Sequence, residues 1–110
     1  MVFPVSAALL DALVLSVVAK EDTYGYKITQ EIREAMEMSE STLYPVLRRL
    51  LKNEFLDSYD QEYMGRNRRY YTITDSGREQ LEIYSTEWVS YKEKIDKLLM
   101  FHDNDRSEEE

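Results

Sequence analysis

Residues 39–53, Ser-Glu-Ser-Thr-Leu-Tyr-Pro-Val-Leu-Arg-Arg-Leu-Leu-Lys-Asn, hold hydroxyls, an aromatic ring and cations in a pattern that separates them from aliphatic residues. Wound at about 100° per residue, Leu43, Val46, Leu47, Leu50 and Leu51 gather on one side, and Ser41, Thr42, Tyr44, Pro45, Arg48, Arg49 and Lys52 share the other. Hydroxyls and backbone amides at a helix start suit phosphate oxygens, and arginines farther along reach a base edge or a backbone. Residues 65–69, Gly-Arg-Asn-Arg-Arg, then set three arginines within four positions. Guanidinium groups carried on a hairpin grip phosphates bidentately or enter a minor groove. Six of the 14 basic residues lie between Arg48 and Arg69. Either segment alone reads as a solvated charged face; their adjacency reads as a winged helix built to meet double-stranded DNA.

Positioning those side chains takes few elements. With 110 residues and 43% apolar composition, the chain has material for one small domain. A first helix is expected from about Pro4 or Ser6 to Lys20, with Pro4 suited to a first turn. Asp22 or Thr23 caps a second helix through about Met36, whose inner stripe is Tyr24, Ile28, Ile32 and Ala35 or Met36. Gly25, which costs about 1 kcal/mol in a helix relative to alanine, is expected to admit another backbone. Ser39 or Ser41 caps the third helix, near enough to Pro45 for the proline to be tolerated. Phe55 to Tyr63 and Arg69 to Thr74 read as two antiparallel strands, with the turn at Met64 to Asn67. Asp75 or Ser76 opens a last helix with Gly77 in its first turn. The fold class expected is mainly α with a small β-hairpin: a winged helix-turn-helix over residues 1–74, a C-terminal dimerisation helix over 75–102 and an acidic disordered tail over 103–110.

The last helix carries the cleanest period, Leu81, Tyr84, Trp88, Tyr91, Ile95 and Leu98, spaced as alternating a and d positions. One reading packs this stripe on its own domain. The other, preferred because little chain remains to cover it, makes it the interface of a homodimer.

The formal charge of −8 opposes nucleic acid only if it is spread evenly, and Asp103 to Glu110 alone supply −4 of it. The absence of cysteine excludes disulfides and thiolate chemistry and suits a cytoplasmic location. Val2 to Ala19 contains a single charge, Asp11, an acid that membrane insertion disfavours by about 2.5–3.5 kcal/mol, so a buried helix is expected there and no membrane association. A single histidine, His102, no glycine-rich phosphate loop and no paired carboxylates argue against an enzyme, and no cofactor or metal is expected. The competing class is a protein-interaction winged-helix module without sequence-specific DNA binding, favoured by the acidity and opposed by the basic wing.

Three stretches in register resemble the PadR family of bacterial transcriptional regulators. They are Tyr24-Gly25-Tyr26-Lys27-Ile28, Ser41-Thr42-Leu43-Tyr44-Pro45-Val46-Leu47 with Arg49-Leu50, and Gly65-Arg66-Asn67-Arg68-Arg69-Tyr70-Tyr71-Thr72-Ile73-Thr74 closing on Gly77. The resemblance covers about residues 5 to 100 and implies the short subfamily, a homodimer that represses by occupying a palindromic operator. Carried over, the operator contacts are Ser39, Ser41, Thr42, Tyr44, Arg48 and Arg49 from the third helix and Arg66, Asn67 and Arg68 from the wing, with Tyr26 and Lys27 adding phosphate contacts. Tyr71 goes to packing, and Tyr70 is left open between packing and contact. Two third helices related by a twofold axis enter successive major grooves about 34–36 Å apart.

Trp88 reads as an aromatic core residue, or as one of two paired indoles lining a flat cavity for a small planar aromatic effector, as in multidrug-sensing relatives that the chain resembles. Ala8, Asp11, Ala12 and Leu15 of the first helix are the candidates for the other wall. Lys92, where such sensors carry an acid one turn on, favours neutral or anionic effectors over cations.

Overall fold

Four helices and a three-stranded antiparallel sheet make up the computed structural model, which describes residues 3–100. The elements run α1 (Ala7–Lys20), β1 (Thr23–Tyr24), α2 (Gly25–Arg33), α3 (Glu40–Lys52), β2 (Leu56–Tyr63), β3 (Arg66–Ile73) and α4 (Asp75–Leu99). His102, the expected helix end at residue 102 and the acidic tail lie outside the described residues.

Each helix start follows its capping chemistry. Ser6 Oγ accepts from the Leu9 amide at 3.2 Å, so α1 begins after Pro4, which precedes the helix instead of entering its first turn. Ser39 caps α3 by accepting from the Thr42 amide at 3.2 Å. Pro45 sits in the second turn of α3, where it forgoes one amide bond to Ser41 on the exposed side of the helix. Thr74 caps α4 and also donates to the Glu54 carbonyl at 2.7 Å.

The core forms where α1, α2 and α3 meet the buried face of the sheet. Val14, Leu15, Ile28, Leu43, Leu50 and Leu56 are fully buried, with Val18, Val46 and Leu47 almost so. The aliphatic face expected of the third helix is therefore its inner face, with Leu51 at the margin. Helix α3 ends in a Schellman arrangement: the Phe55 amide bonds the Leu50 carbonyl at 2.9 Å and the Glu54 amide bonds that of Leu51 at 3.0 Å. Glu54 takes the left-handed conformation, φ 62°, that glycine usually supplies there.

Three details differ from expectation. Helix α2 is shorter at both ends than the reading from Asp22 or Thr23 to Met36: Thr23 and Tyr24 are drawn into the sheet opposite Tyr71 and Tyr70, and after Arg33 the chain turns, the Ala35 amide bonding the Ile32 carbonyl at 3.0 Å. At Gly25 a Cβ would meet no backbone of another element, only side-chain atoms of Tyr44 and Leu43 at 3.8 and 3.9 Å. The close backbone approach occurs at Gly77, where a Cβ would lie 2.1 Å from the Phe55 carbonyl oxygen. Finally, the wing turns in two residues, Met64 and Gly65, both at positive φ, as a type I′ hairpin requires. Arg66, Asn67 and Arg68 are thus residues of β3 and not of a loop.

Helix α4 extends the molecule to 69 Å in its longest dimension. Its first turns, through Leu81 and Tyr84, pack against the core, so these two stripe residues cover their own domain. Beyond them Trp88, Tyr91 and Leu98 are exposed, 78% so at Leu98. Among the described residues no helix is long and apolar enough to cross a membrane.

Candidate nucleic-acid interface

Helix α3, the start of α2 and the wing enclose an open cleft of about 480 Å³. Tyr26, Tyr44, Arg48, Arg68 and Arg69 all line it. These five come from three sequence segments that no local pattern connects. Tyr26 and Tyr44 are exposed, and the Tyr26 hydroxyl accepts from Gln30 at 3.0 Å. Arg48 is exposed on α3, and no carboxylate lies within ion-pair distance of it among the described residues. Glu40, in the first turn of α3, lines the same cleft. The sequence reading passed over it; a carboxylate there repels phosphate and accepts from base donors such as the cytosine amino group.

At the head of α3 the hydroxyls form one cluster. Ser39 Oγ lies 3.0 Å from both Ser41 Oγ and Thr42 Oγ1 while capping the helix. Ser39 thereby fixes the start of the helix, and Ser41 and Thr42 are the exposed members.

Arg49 does not belong to the outward face. Its Nε donates to Asp11 Oδ2 at 3.2 Å and its second nitrogen to Oδ1, a bidentate pair joining α3 to α1. The hydrogen bond it donates to Asp11 raises the pKa of the guanidinium above its ordinary value, against a smaller cost of burial. Arg49, expected as an operator contact, thus braces α3 against α1, with 38% of its side chain still exposed. The same pair removes Asp11, 8% exposed, from the effector wall, and Leu15 leaves it because it is wholly buried. Lys27 is on the surface but shares its charge with Glu21 at 3.4 Å.

In the wing, the strand period of two divides the cations. Leu56 pairs with Ile73 and both are buried, so Asn67, Arg69, Tyr71 and Ile73 face the core side while Arg66, Arg68, Tyr70 and Thr72 face away. Arg66, Asn67 and Arg68 therefore do not act from one face. Arg69 is balanced by Asp60 across the hairpin, 3.5 Å away. Arg68 has no such partner among the described residues and rests instead on aromatic rings, its guanidinium carbon 3.9 Å from the Tyr24 centroid and 4.0 Å from that of Tyr63.

Those rings belong to a longer row. Tyr24 meets Tyr70 edge to face at 5.6 Å, and Tyr70 stacks on Tyr59 at 5.7 Å. The Tyr59 hydroxyl donates to Asp22 at 2.7 Å, and that bond, more than desolvation, raises its pKa. Burial raises the pKa of Tyr71 on the opposite face, against an opposing pull from Arg69. Tyr70 is a packing residue of this row. The row was legible only in part, because its members meet through strand register.

An exposed helix face and a basic two-stranded wing sharing one cleft define a winged helix. Residues 14–83 match the family described as the transcriptional regulator PadR-like family. The chain belongs to this family. The PadR-like chain is similar to smu.1704 from Streptococcus mutans, with 46% identity, a TM-score of 0.83 and coverage of 91% of this chain and 94% of that one. It is also similar to a PadR family transcription regulator from Clostridium difficile, with 34% identity, a TM-score of 0.77 and coverage of 82% and 97%. An uncharacterized protein of Lysinibacillus sphaericus is 38% identical over 95 residues, 82% of this chain and 87% of its relative. This PadR-like chain thus has the four-helix, three-strand architecture of a transcriptional regulator, a fold that supports DNA binding.

Proposed function

We propose that this PadR-like chain is a homodimeric repressor that occupies a palindromic operator. Ser41, Thr42, Tyr44 and Arg48 read the major groove, and the wing holds the flanking backbone from both its faces, with Arg66 and Arg68 on one and Asn67 on the other, while Tyr26 and Lys27 add phosphate contacts. The observation that carries this reading is the shared cleft of Tyr26, Tyr44, Arg48 and Arg68, which sets polar and cationic groups from three elements on one side of the protein. The exposed stretch of α4 from Trp88 to Leu98 is the surface on which a second copy pairs, placing two α3 helices on one duplex.

The test is a mobility shift with duplex from upstream of the protein's own gene, followed by footprinting. Binding to a symmetric site at least 10³-fold tighter than to random duplex, falling steeply with salt, is the expected result. Equal affinity for all duplexes, or no shift, would favour the protein-interaction module instead. Sedimentation of the free protein as a monomer at the concentrations that shift DNA would remove the dimer from the account.

A finer part of the proposal is release by a planar aromatic effector held between paired Trp88 residues, with Ala8, Ala12 and Lys92 as wall candidates. Lys92 is paired with Asp96 at 3.1 Å, which blunts its charge towards an anionic ligand. Titrating planar compounds against Trp88 emission tests this: a saturable change accompanied by loss of operator binding is expected, and constant emission across the panel refutes it.

A further inference from the structure

We infer that Tyr24 and Tyr63 are positioning residues for DNA binding, holding the Arg68 guanidinium, which has no carboxylate partner among the described residues, against their rings so that its N–H edge is presented to a phosphate. The inference rests on the DNA-binding reading and assigns a role to two tyrosines that the operator contacts leave unused. Tyr24 belongs to β1 and Tyr63 to β2, the strands on either side of β3, and the Arg68 guanidinium carbon lies within 3.9 and 4.0 Å of their ring centroids. A carboxylate partner would neutralise Arg68, as Asp60 does Arg69 and Asp11 does Arg49. A ring face orders the guanidinium without cancelling its charge or consuming its planar set of donors.

The gain is entropic. A free arginine loses several torsions when it clamps a phosphate, whereas one already laid on rings has lost them before DNA arrives. Tyr24 is itself set by Tyr70, Tyr70 by Tyr59, and Tyr59 by its bond to Asp22, so the support reaches across the sheet to the residue just before β1. Arg68 also lines the cleft that holds Tyr44 and Arg48, which puts the ordered charge where a duplex seated on α3 would pass.

Tyr63 is 45% exposed near the hairpin turn, so its removal spares the core and makes it the residue to test. The experiment measures duplex binding against salt for the full chain carrying Y63A, Y63F, R68A and the Y63A/R68A pair. Y63A is expected to weaken binding to every duplex about 3- to 10-fold without changing the salt slope, since the charge remains. R68A should lower that slope by about one per protomer. Y63F should bind like the parent, and Y63A should add nothing in the R68A background. An equal loss from Y63A in both backgrounds, a loss in Y63F matching that in Y63A, or no loss in Y63A overturns the inference while leaving DNA binding intact. Failure of the parent chain to bind any duplex overturns the DNA reading itself. A readout without DNA completes the test: the Arg68 side-chain protons should carry an upfield ring-current shift that shrinks in Y63A, where the Tyr24 ring remains, and unshifted protons in the parent contradict the arrangement.

Discussion

Helix α3 and the wing both carry adjacent arginines, Arg48 with Arg49 and Arg68 with Arg69, and sort them by different periods. In α3 a step of about 100° turns Arg49 towards Asp11 of α1 and leaves Arg48 on the exposed side. In the wing a step of two sends Arg69 to Asp60 and leaves Arg68 on its rings. Of each adjacent pair, one arginine bonds a carboxylate of its own domain, and the other has no carboxylate partner among the described residues. Contiguous charge in a sequence is therefore a poor guide to contiguous charge on a surface. The support differs as well, a carboxylate behind the helix and aromatic rings beside the wing cation, and that difference separates the effects of substitution.

The largest effect is expected in the wing. Replacing Arg66 and Arg68 together by alanine should weaken binding to specific and random duplex alike and make the salt slope shallower by about one per arginine and protomer, read by titrations at several salt concentrations. An unchanged slope would break the assignment of the free cations to phosphate.

Next comes the helix pair. R48A should leave the fold within about 0.5 kcal/mol of the parent and remove about 1–3 kcal/mol of discrimination at one base pair, seen with a panel of single-base operator variants. R49A or D11A should instead lower unfolding free energy by about 1–3 kcal/mol in urea while the order of preference among operators persists, the pair lying between surface and buried cases. Identical behaviour of R48A and R49A would erase the contrast. R69A is a milder control, expected within about 0.5 kcal/mol of the parent in stability.

The smallest effect is on pH. The Tyr59 and Tyr71 hydroxyls both hold their protons above the ordinary tyrosine value. Their contribution to stability is complete below about pH 10 and is lost as pH rises through the raised values. Y59F, which cannot donate to Asp22, should soften that alkaline decline in denaturant titrations, whereas a decline beginning below pH 9 would need groups other than these about pH 10 phenols.

Much of the architecture was readable because it is local. Leu43, Val46, Leu47 and Leu50 are all buried as their period requires, and the Ser39 cap follows from its side chain. What escaped depends on partners distant in the chain. The β1 strand is two residues long and exists only because Tyr70 and Tyr71 lie beside it. Arg49 sits at the border of two helix faces, and Asp11, 38 positions away, decides its direction. The turn at Met64 and Gly65 was read too long because methionine at positive φ is uncommon. The stripe on α4 has one unbroken period, yet Leu81 and Tyr84 serve the core and Leu98 does not; period reveals a face but not what covers it.

Operator binding as proposed requires α3 and the wing to meet the same half-site. The chain lacks cysteine, so Y44C and M64C each place a single attachment point for a DNA-cleaving iron chelate. Cleavage from position 44 within the operator half-site, with cleavage from position 64 immediately beside it on the same duplex, is the predicted result. Cleavage from one position alone, or from neither while the labelled proteins still bind, would contradict it.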